Sequence, residues 1–321
     1  MNEILKQLSQ IGIVPVIKID DVEKAVPLAK ALVAGGLPCA EVTFRTAEGE
    51  EAIRRIAKEV PEVLVGAGTV LTIEQVDRAI KAGAKFIVSP GLNPKVVAYC
   101  VEKGYPVTPG CANPSDVEQA IQLGLDVVKF FPAEQAGGIN YIKAISAPYT
   151  GMKFMPTGGV SAKNINDYLS FDKILCCGGS WMVKADLIND GKFDEITRLC
   201  KEAVQTMMGF ELAHIGINAE NEDEALKAAK LFELMFGFET KVGNSSIFAG
   251  KYVEVMKTPY LGKNGHIAIA TNNVMRAIAH FERLGFAFNY EVAKKDAKGN
   301  YPAIYFKDEI AGFAVHLLQK K

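Results

Sequence analysis

The sequence predicts an α/β protein in two parts: a (β/α)8 TIM barrel over residues 1–208, then an α+β domain of paired βαβββ modules over residues 209–321. Three observations carry this. Short apolar runs alternate with amphipathic stretches up to about residue 205. Residues suited to chemistry gather at the C-terminal ends of those runs. Beyond residue 208 the rhythm changes, and the new pattern occurs twice.

The apolar runs, in order, are "IVPVI", "CAEVTF", "VLVGAG", "FIVSPG", "YPVTPG", "VVKFFP", "KFMPTGG" and "KILCCGG". Stretches between them, such as "DVEKAVPLAKALVAGG" and "NPSDVEQAIQLG", carry apolar residues at three-to-four spacing and end in Gly, as a helix C-terminus does. Eight runs separated by helices fit a parallel barrel in which one helix makes each crossover. Glu41 and Arg45, Gly68 and Thr69, Ser89 and Pro90, Pro109, Lys129, Thr157-Gly158-Gly159 and Gly178-Gly179-Ser180 close these runs. That rim is where a barrel of this kind carries its active site. Gly and Pro also simply end strands, which accounts for the glycines but not for the charged residues.

The helical stretch "KFDEITRLCKEAVQTMMG", ending at Gly209, closes the barrel. After it, "FELAHIGINAENEDEALKAAKLFELMFGFETKVGNSSIFAGKYVEVMK" reads as strand, helix, three strands, and residues from "NGHIAIA" onward read the same way. The modules span about 209–262 and 263–321. Each opens on a "HIGI" or "HIAI" strand and has a helix ending in "FGF" or "LGF". Such duplication signals a fold of two equal modules. No low-complexity linker separates the two parts, so the sequence reading places them close together.

Bulk composition excludes several function classes. A net charge of −1 over 321 residues gives no basic field for nucleic acid. No apolar run approaches the roughly 20 residues of a membrane span. The opening "MNEILKQLSQ" lacks the apolar core of a secretory signal. Cys39, Cys100, Cys111, Cys176, Cys177 and Cys200 form no CxxC pair and read as reduced thiols of a cytoplasmic protein.

Lys129 is the strongest candidate for chemistry. In "DVVKFFPAEQAGG" it stands between two valines and two phenylalanines. With a strand period of two, an inward Lys129 has Phe131 beside it, while Val128 and Phe130 face the helices. An inward ammonium loses its water, which favours the neutral amine. That amine can attack a carbonyl and form an imine, an electron sink for carbon–carbon cleavage. The bland alternative is a lysine snorkelling from a strand end. "EVTFRT" puts Glu41, Thr43 and Arg45 on one face. A carboxylate near an imine moves protons, and an arginine grips a substrate carboxylate. A surface ion pair is the alternative reading. "PTGG", residues 156–159, and "CGGS", residues 177–180, end the last two runs, the usual phosphate site of this architecture. Thr157 and Ser180 can add hydroxyl donors there. Another phosphate-binding barrel, such as an isomerase, is the rival within enzymes, and it would need no such lysine.

In this order and spacing, "EVTFRT", "VGAGTV", "SPGL", "KFFPAE", "PTGG" and "GGSW" resemble the 2-keto-3-deoxy-6-phosphogluconate (KDPG) aldolase family over residues 1 to about 205. The resemblance implies a class I aldolase of sugar-acid catabolism, a homotrimer of barrels that needs no cofactor. It implies cleavage of the sugar-acid phosphate to pyruvate and glyceraldehyde 3-phosphate, with 4-hydroxy-2-oxoglutarate as a second substrate. Carried over, Lys129 is the Schiff-base lysine and Glu41 the general acid/base. Arg45 and Thr69 grip the pyruvate carboxylate, and Pro90 and Phe131 wall the pocket. Thr157 contacts substrate, and Gly158, Gly159, Gly179 and Ser180 hold the phosphate. "PGCANPSD", residues 109–116, departs from the family in being more polar, outside the core chemistry.

In the second part, His214 and His266 open the two modules at matching positions, and Glu254 and His316 match in their last strands. Four ligand types at symmetric positions predict one site on a pseudo-twofold axis, suited to Zn, Ni, Fe or Mn. His280 falls on a helix and outside the set. The paired pattern over residues 209–321 resembles the glyoxalase/bleomycin-resistance/dioxygenase (vicinal oxygen chelate) superfamily. In its metal-using members the ligands come from these strands, which implies the same four residues here. A histidine at position 316, where that superfamily often has glutamate, leaves metal and reaction open. The alternatives are a metal-free module that senses a ligand and regulates the barrel, or a second lyase.

Overall fold

A computed structural model describes residues 2–320. The chain divides into two compact units, Met1–Met207 and Met208–Lys321.

The first unit has strands β1 (Ile13–Ile17), β2 (Cys39–Thr43), β3 (Leu64–Gly68), β4 (Ile87–Val88), β5 (Val107–Thr108), β6 (Val127–Phe130), β7 (Lys153–Pro156) and β8 (Cys177–Gly179). One sheet runs β5-β4-β3-β2-β1-β8 and a second pairs β6 with β7, all parallel. Single bridges, Gly110 to Lys129 and Thr157 to Gly178, join the two sheets at both seams. The neighbour order therefore runs from β1 to β8 and returns to β1. Helices connect successive strands, and local chemistry sets several of their starts. The Asn93 and Asn113 side chains accept from backbone N–H groups two and three residues on, with Pro94 and Pro114 at the first helical position.

Parallel partners face the same way, so register sorts the side chains. Val16, Glu41 and Gly66 are paired, as are Thr43 with Gly68 and Lys129 with Met155. The intervening residues face the helices: Phe130 packs on Tyr141 of the helix Gly138–Ser146, with centroids 5.8 Å apart. Gly66 makes room on the inner face, because a Cβ there would lie 2.4 Å from the Phe86 ring.

The second unit is a seven-stranded sheet with two helices, Glu222–Phe236 and Val274–Arg283. Its strands are β9 (Glu211–Asn218), β10 (Thr240–Val242), β11 (Ser246–Ala249), β12 (Val253–Met256), β13 (Gly265–Thr271), β14 (Ala303–Tyr305) and β15 (Phe313–Gln319). The order is β10-β11-β12-β9-β13-β15-β14. β9 and β13 are antiparallel at the centre, and each has a parallel neighbour, β12 or β15, on its outer side. The first helix packs on β11 and β12 through Ala225 and Ala229, whose small side chains meet Ile247, Ala249 and Val255.

The expected three strands after the helix occur in the first half only. In the second half, two strands remain, and the third is reduced to one bridge between Phe288 and Phe306. The reason lies in the residues that follow. "NYEVAKKDAKGNY" has too few alternating apolar residues to extend the pairing. It turns instead at Asp296, whose carboxylate accepts from the Lys298 and Asn300 N–H groups.

Gly66→Ala will destabilise the first unit by about 1–3 kcal/mol, the usual cost of overpacking a core. Urea unfolding reads this as a lower midpoint. An unchanged midpoint would mean that the Phe86 ring gives way freely.

Candidate active site and candidate metal centre

Lys129 is held at both ends of its peptide. Its N–H donates to the Pro109 carbonyl at 2.9 Å, and its carbonyl accepts from Cys111 at 2.8 Å. The residue is 5 % exposed and its side chain points inward, so it does not snorkel from a strand end. Its Nζ lies 3.3 Å from Oε1 of Glu41, which is fully buried. The other Glu41 oxygen, Oε2, has no hydrogen-bond partner. Gly68 allows this placement, since a Cβ there would come within 2.3 Å of Glu41 Oε1. Phe131 lies just past β6, 37 % exposed, with its ring centroid 5.3 Å from the Lys129 Nζ.

Arg45 sits in the turn after β2. Its Nε–H donates to Thr43 Oγ1 at 3.1 Å, and the Thr43 hydroxyl donates to the Ile17 carbonyl at 2.9 Å. Thr43 therefore anchors the guanidinium to β1 and leaves its outer nitrogens available. Thr43 shares the face of Glu41, as the strand period predicts, and its role in holding Arg45 emerges only from the structure. The alternation Glu41, Thr43, Arg45 was the signal. Thr69 follows β3 with φ 57°, a left-handed conformation uncommon for a β-branched residue. Pro90 is exposed beyond β4, next to Ser89, whose hydroxyl donates to the Gly91 carbonyl.

Thr157 is buried beyond β7, and its N–H donates to the Phe130 carbonyl at 2.9 Å. Gly158 and Gly159 follow with φ 100° and 78°. The loop is stitched to its neighbour by bonds from Ala133 N–H to the Thr157 carbonyl and from Glu134 N–H to the Gly158 carbonyl. None of the N–H groups of Gly158, Gly159 and Ser180 donates to another described residue. Gly178, expected at the rim but not among the phosphate-holding residues, is required as well: a Cβ there would lie 2.4 Å from Thr157 Oγ1. Gly179 leaves room for the Trp181 ring. Tyr168, also missed, is buried and donates to Glu134, which packs under Gly159. Arg45, Thr69, Pro90, Phe131, Thr157 and Ser180 each follow the end of a parallel strand and so share one rim, whereas Tyr168 lies on the helix Ile165–Leu169.

In the second unit, register gathers the four expected residues on one sheet face. His214 and His316 both pair with Ala268, and Glu254 and His266 both pair with Gly216. His214 Nε2 lies 3.2 Å from His266 Nε2 and 3.0 Å from Glu254 Oε2. His266 Nε2 lies 3.1 Å from the same oxygen. His214, His266 and His316 each offer a ring nitrogen, all within 4.8 Å of one another. Gly216 has to be glycine, because a Cβ would come 2.0 Å from the His266 ring. Ser246 donates to Glu254 Oε1 at 2.5 Å, and Tyr305 stacks on His316 at 4.6 Å. Phe248 meets His214 edge-on.

The electrostatics follow from burial and packing. Burial pushes the Glu254 carboxyl up, but hydrogen bonds from His214, His266 and Ser246 outweigh it and hold the group well below the usual carboxylate range. Burial, with His266 and His214 nearby, pushes the His316 imidazole down to about 3. Both His316 ring nitrogens and His266 Nδ1 are buried without a hydrogen-bond partner. Such orphaned imidazoles suit a cation.

Residues 3–199 match the family described as KDPG and KHG aldolase. The chain is 48% identical over 205 residues to the 2-dehydro-3-deoxy-phosphogluconate aldolase of Treponema pallidum (strain Nichols), covering 64% of this chain and 98% of that one. Among solved structures, the KDPG aldolase of Zymomonas mobilis ZM4 with 3-phosphoglycerate is 44% identical with a TM-score of 0.58, over 62% of this chain and 94% of that one. The KDPG aldolase of Legionella pneumophila, with pyruvate captured as a covalent carbinolamine, is 38% identical with a TM-score of 0.60, over 62% and 97%. The matched residues end before the second unit begins. Through its first unit, the chain belongs to the KDPG and KHG aldolase family.

Proposed function

We propose that the first unit, taken as a (β/α)8 barrel over residues 1–208, cleaves KDPG to pyruvate and glyceraldehyde 3-phosphate through an imine at Lys129. It also cleaves 4-hydroxy-2-oxoglutarate to pyruvate and glyoxylate. The observation that carries this is the buried Lys129–Glu41 pair, with its 3.3 Å contact. The chain is accordingly an aldehyde-lyase, and the reading fits a cytoplasmic homotrimer.

The Lys129 amine attacks the C2 ketone, its proton passing to Glu41 or water, and loss of water from the carbinolamine gives the imine. Glu41 lies within hydrogen-bond reach of the nitrogen and moves protons to and from this centre. The C4 hydroxyl proton passes to Glu41, directly or through water, as the C3–C4 bond breaks. Its electrons enter the imine, leaving an enamine that reprotonates at C3 and hydrolyses to pyruvate. Arg45 and Thr69 grip the carboxylate, and Phe131 and Pro90 wall the pocket. Thr157 contacts the bound chain. The free N–H groups of Gly158, Gly159 and Ser180, with Gly179 beside them, make the anion cradle.

For the second unit, residues 209–321, we infer a divalent metal centre in a vicinal-oxygen-chelate-like fold of two modules. His214, Glu254, His266 and His316 hold the ion, and the orphaned ring nitrogens favour this over a metal-free module. Imidazole and carboxylate donors suit Zn, Ni, Fe or Mn. Bound there, the ion supplies Lewis-acid activation of a small oxygen ligand.

Borohydride with pyruvate will label Lys129, read by peptide mass spectrometry, and Lys129→Met will retain less than about a thousandth of wild-type activity. An adduct at another residue would sink the imine assignment. Thr43→Val will raise the KM for pyruvate in enzyme-catalysed exchange about tenfold, with a smaller change in kcat, because Arg45 loses its anchor; Thr43→Ser will restore it. Equal losses for both variants would count against the anchor. Protein from metal-replete growth will hold about one equivalent of metal per chain, and His266→Ala well under half of that.

A further inference from the structure

Glu254 has two oxygens in different surroundings. Oε2 faces His214 Nε2 at 3.0 Å and His266 Nε2 at 3.1 Å. Oε1 points the other way and accepts from Ser246 Oγ at 2.5 Å. The strand register fixes this arrangement. In the β11–β12 pair, Phe248 stands opposite Glu254 and Ser246 opposite Met256, so Ser246 is the diagonal neighbour of Glu254 on the same face. Ser246 is itself buried, as is Ile247 beside it, so the hydroxyl has little freedom to turn to water. Among the described residues, only His214 and His266 form ion pairs with Glu254. Glu211, the other carboxylate on this face, is drawn to Lys320 at 3.1 Å, and Lys241 stands exposed beside Glu239.

We propose that Ser246 is a positioning residue of the metal centre: by occupying Oε1, it makes Glu254 a one-oxygen ligand. The proposal rests on the metal reading given above for the second unit. A carboxylate free at both oxygens can bind a cation through one or two atoms. With Oε1 engaged, the donors facing the site would be three imidazole nitrogens and one carboxylate oxygen, so a cation held there would keep room for a small oxygen ligand. Without the hydroxyl, Oε1 is free to close on the ion or to swing the carboxylate away from it. Hydrogen-bond partners of metal ligands commonly control affinity by about 10–100-fold.

The test uses the full chain loaded with Co(II), whose visible absorption reports coordination number. Wild-type protein should bind about one Co(II) per chain, and His266→Ala should lose it. Ser246→Ala should bind at least about tenfold more weakly in chelator competition and show altered band positions and intensities. Ser246→Thr, which keeps the hydroxyl, should return both towards wild type. Thermal melts of the metal-free variants separate a folding defect from a change at the centre. A Ser246→Ala protein with wild-type affinity and spectrum overturns the role of Ser246 and leaves the metal centre standing. No stoichiometric Co(II) on the wild-type chain overturns the centre itself, and the role of Ser246 with it.

Discussion

The first unit turns on one buried contact, the amine of Lys129 against the carboxylate of Glu41. Taking both groups out of water is costly, and their attraction offsets that cost only when the geometry is good. The pair leaves Glu41 Oε2 without a partner, so it is not a fully satisfied structural bridge. A fold that carries such a group without satisfying it holds strain at the place where a substrate or water would relieve it. The surroundings are arranged to tolerate this. Lys129 is fixed through both its backbone groups by Pro109 and Cys111, and Glu41 lies in a strand paired on both sides. Strand pairing thus fixes the backbone from which each of the two side chains reaches the other.

Glycine recurs as the means of bringing functional atoms together, for lack of a side chain more than for flexibility. Gly68 gives its space to the Glu41 carboxylate, Gly178 to the Thr157 hydroxyl and Gly216 to the His266 ring. Each stands next in register to the strand whose side chain it admits. None of the three has a positive φ. A methyl group at any of them would displace a polar atom from its partner while leaving the strand intact.

This also explains what could be read from the sequence. Alternation of apolar and amphipathic stretches follows from strand and helix periods, so the strand–helix order, and Lys129 and Glu41 as its inward residues, were legible. Thr43 was legible as a face and not as a role, because the role depends on where the Ile17 carbonyl lies one strand away. Gly178 was legible as a rim residue, but its role beside Thr157, like the roles of Gly216 and Ser246, was not, for the same reason: each acts on a residue of another strand, and register is a tertiary fact. The lost strand near Phe288 shows the opposite limit. Internal similarity suggested equal modules, but the polar run after Phe288 favours a turn, and local composition prevailed over the repeat.

The two sites differ in how complete they are. In the first unit, the Lys129 amine and the Glu41 carboxylate are already in contact, which is the arrangement the proposed imine chemistry needs. In the second, Glu254 is shared by two imidazoles, while His316 keeps both ring nitrogens buried and unpartnered against Tyr305. A buried imidazole without a hydrogen bond costs about 1–3 kcal/mol, and three such nitrogens in one cluster add to that cost. Apolar residues at these positions would avoid it. A ligand that accepts electron pairs from several imidazoles at once repays the cost in a way that water, with its fixed donor count, does not. Within the second unit, these unpartnered nitrogens are therefore the ground on which the metal centre is proposed.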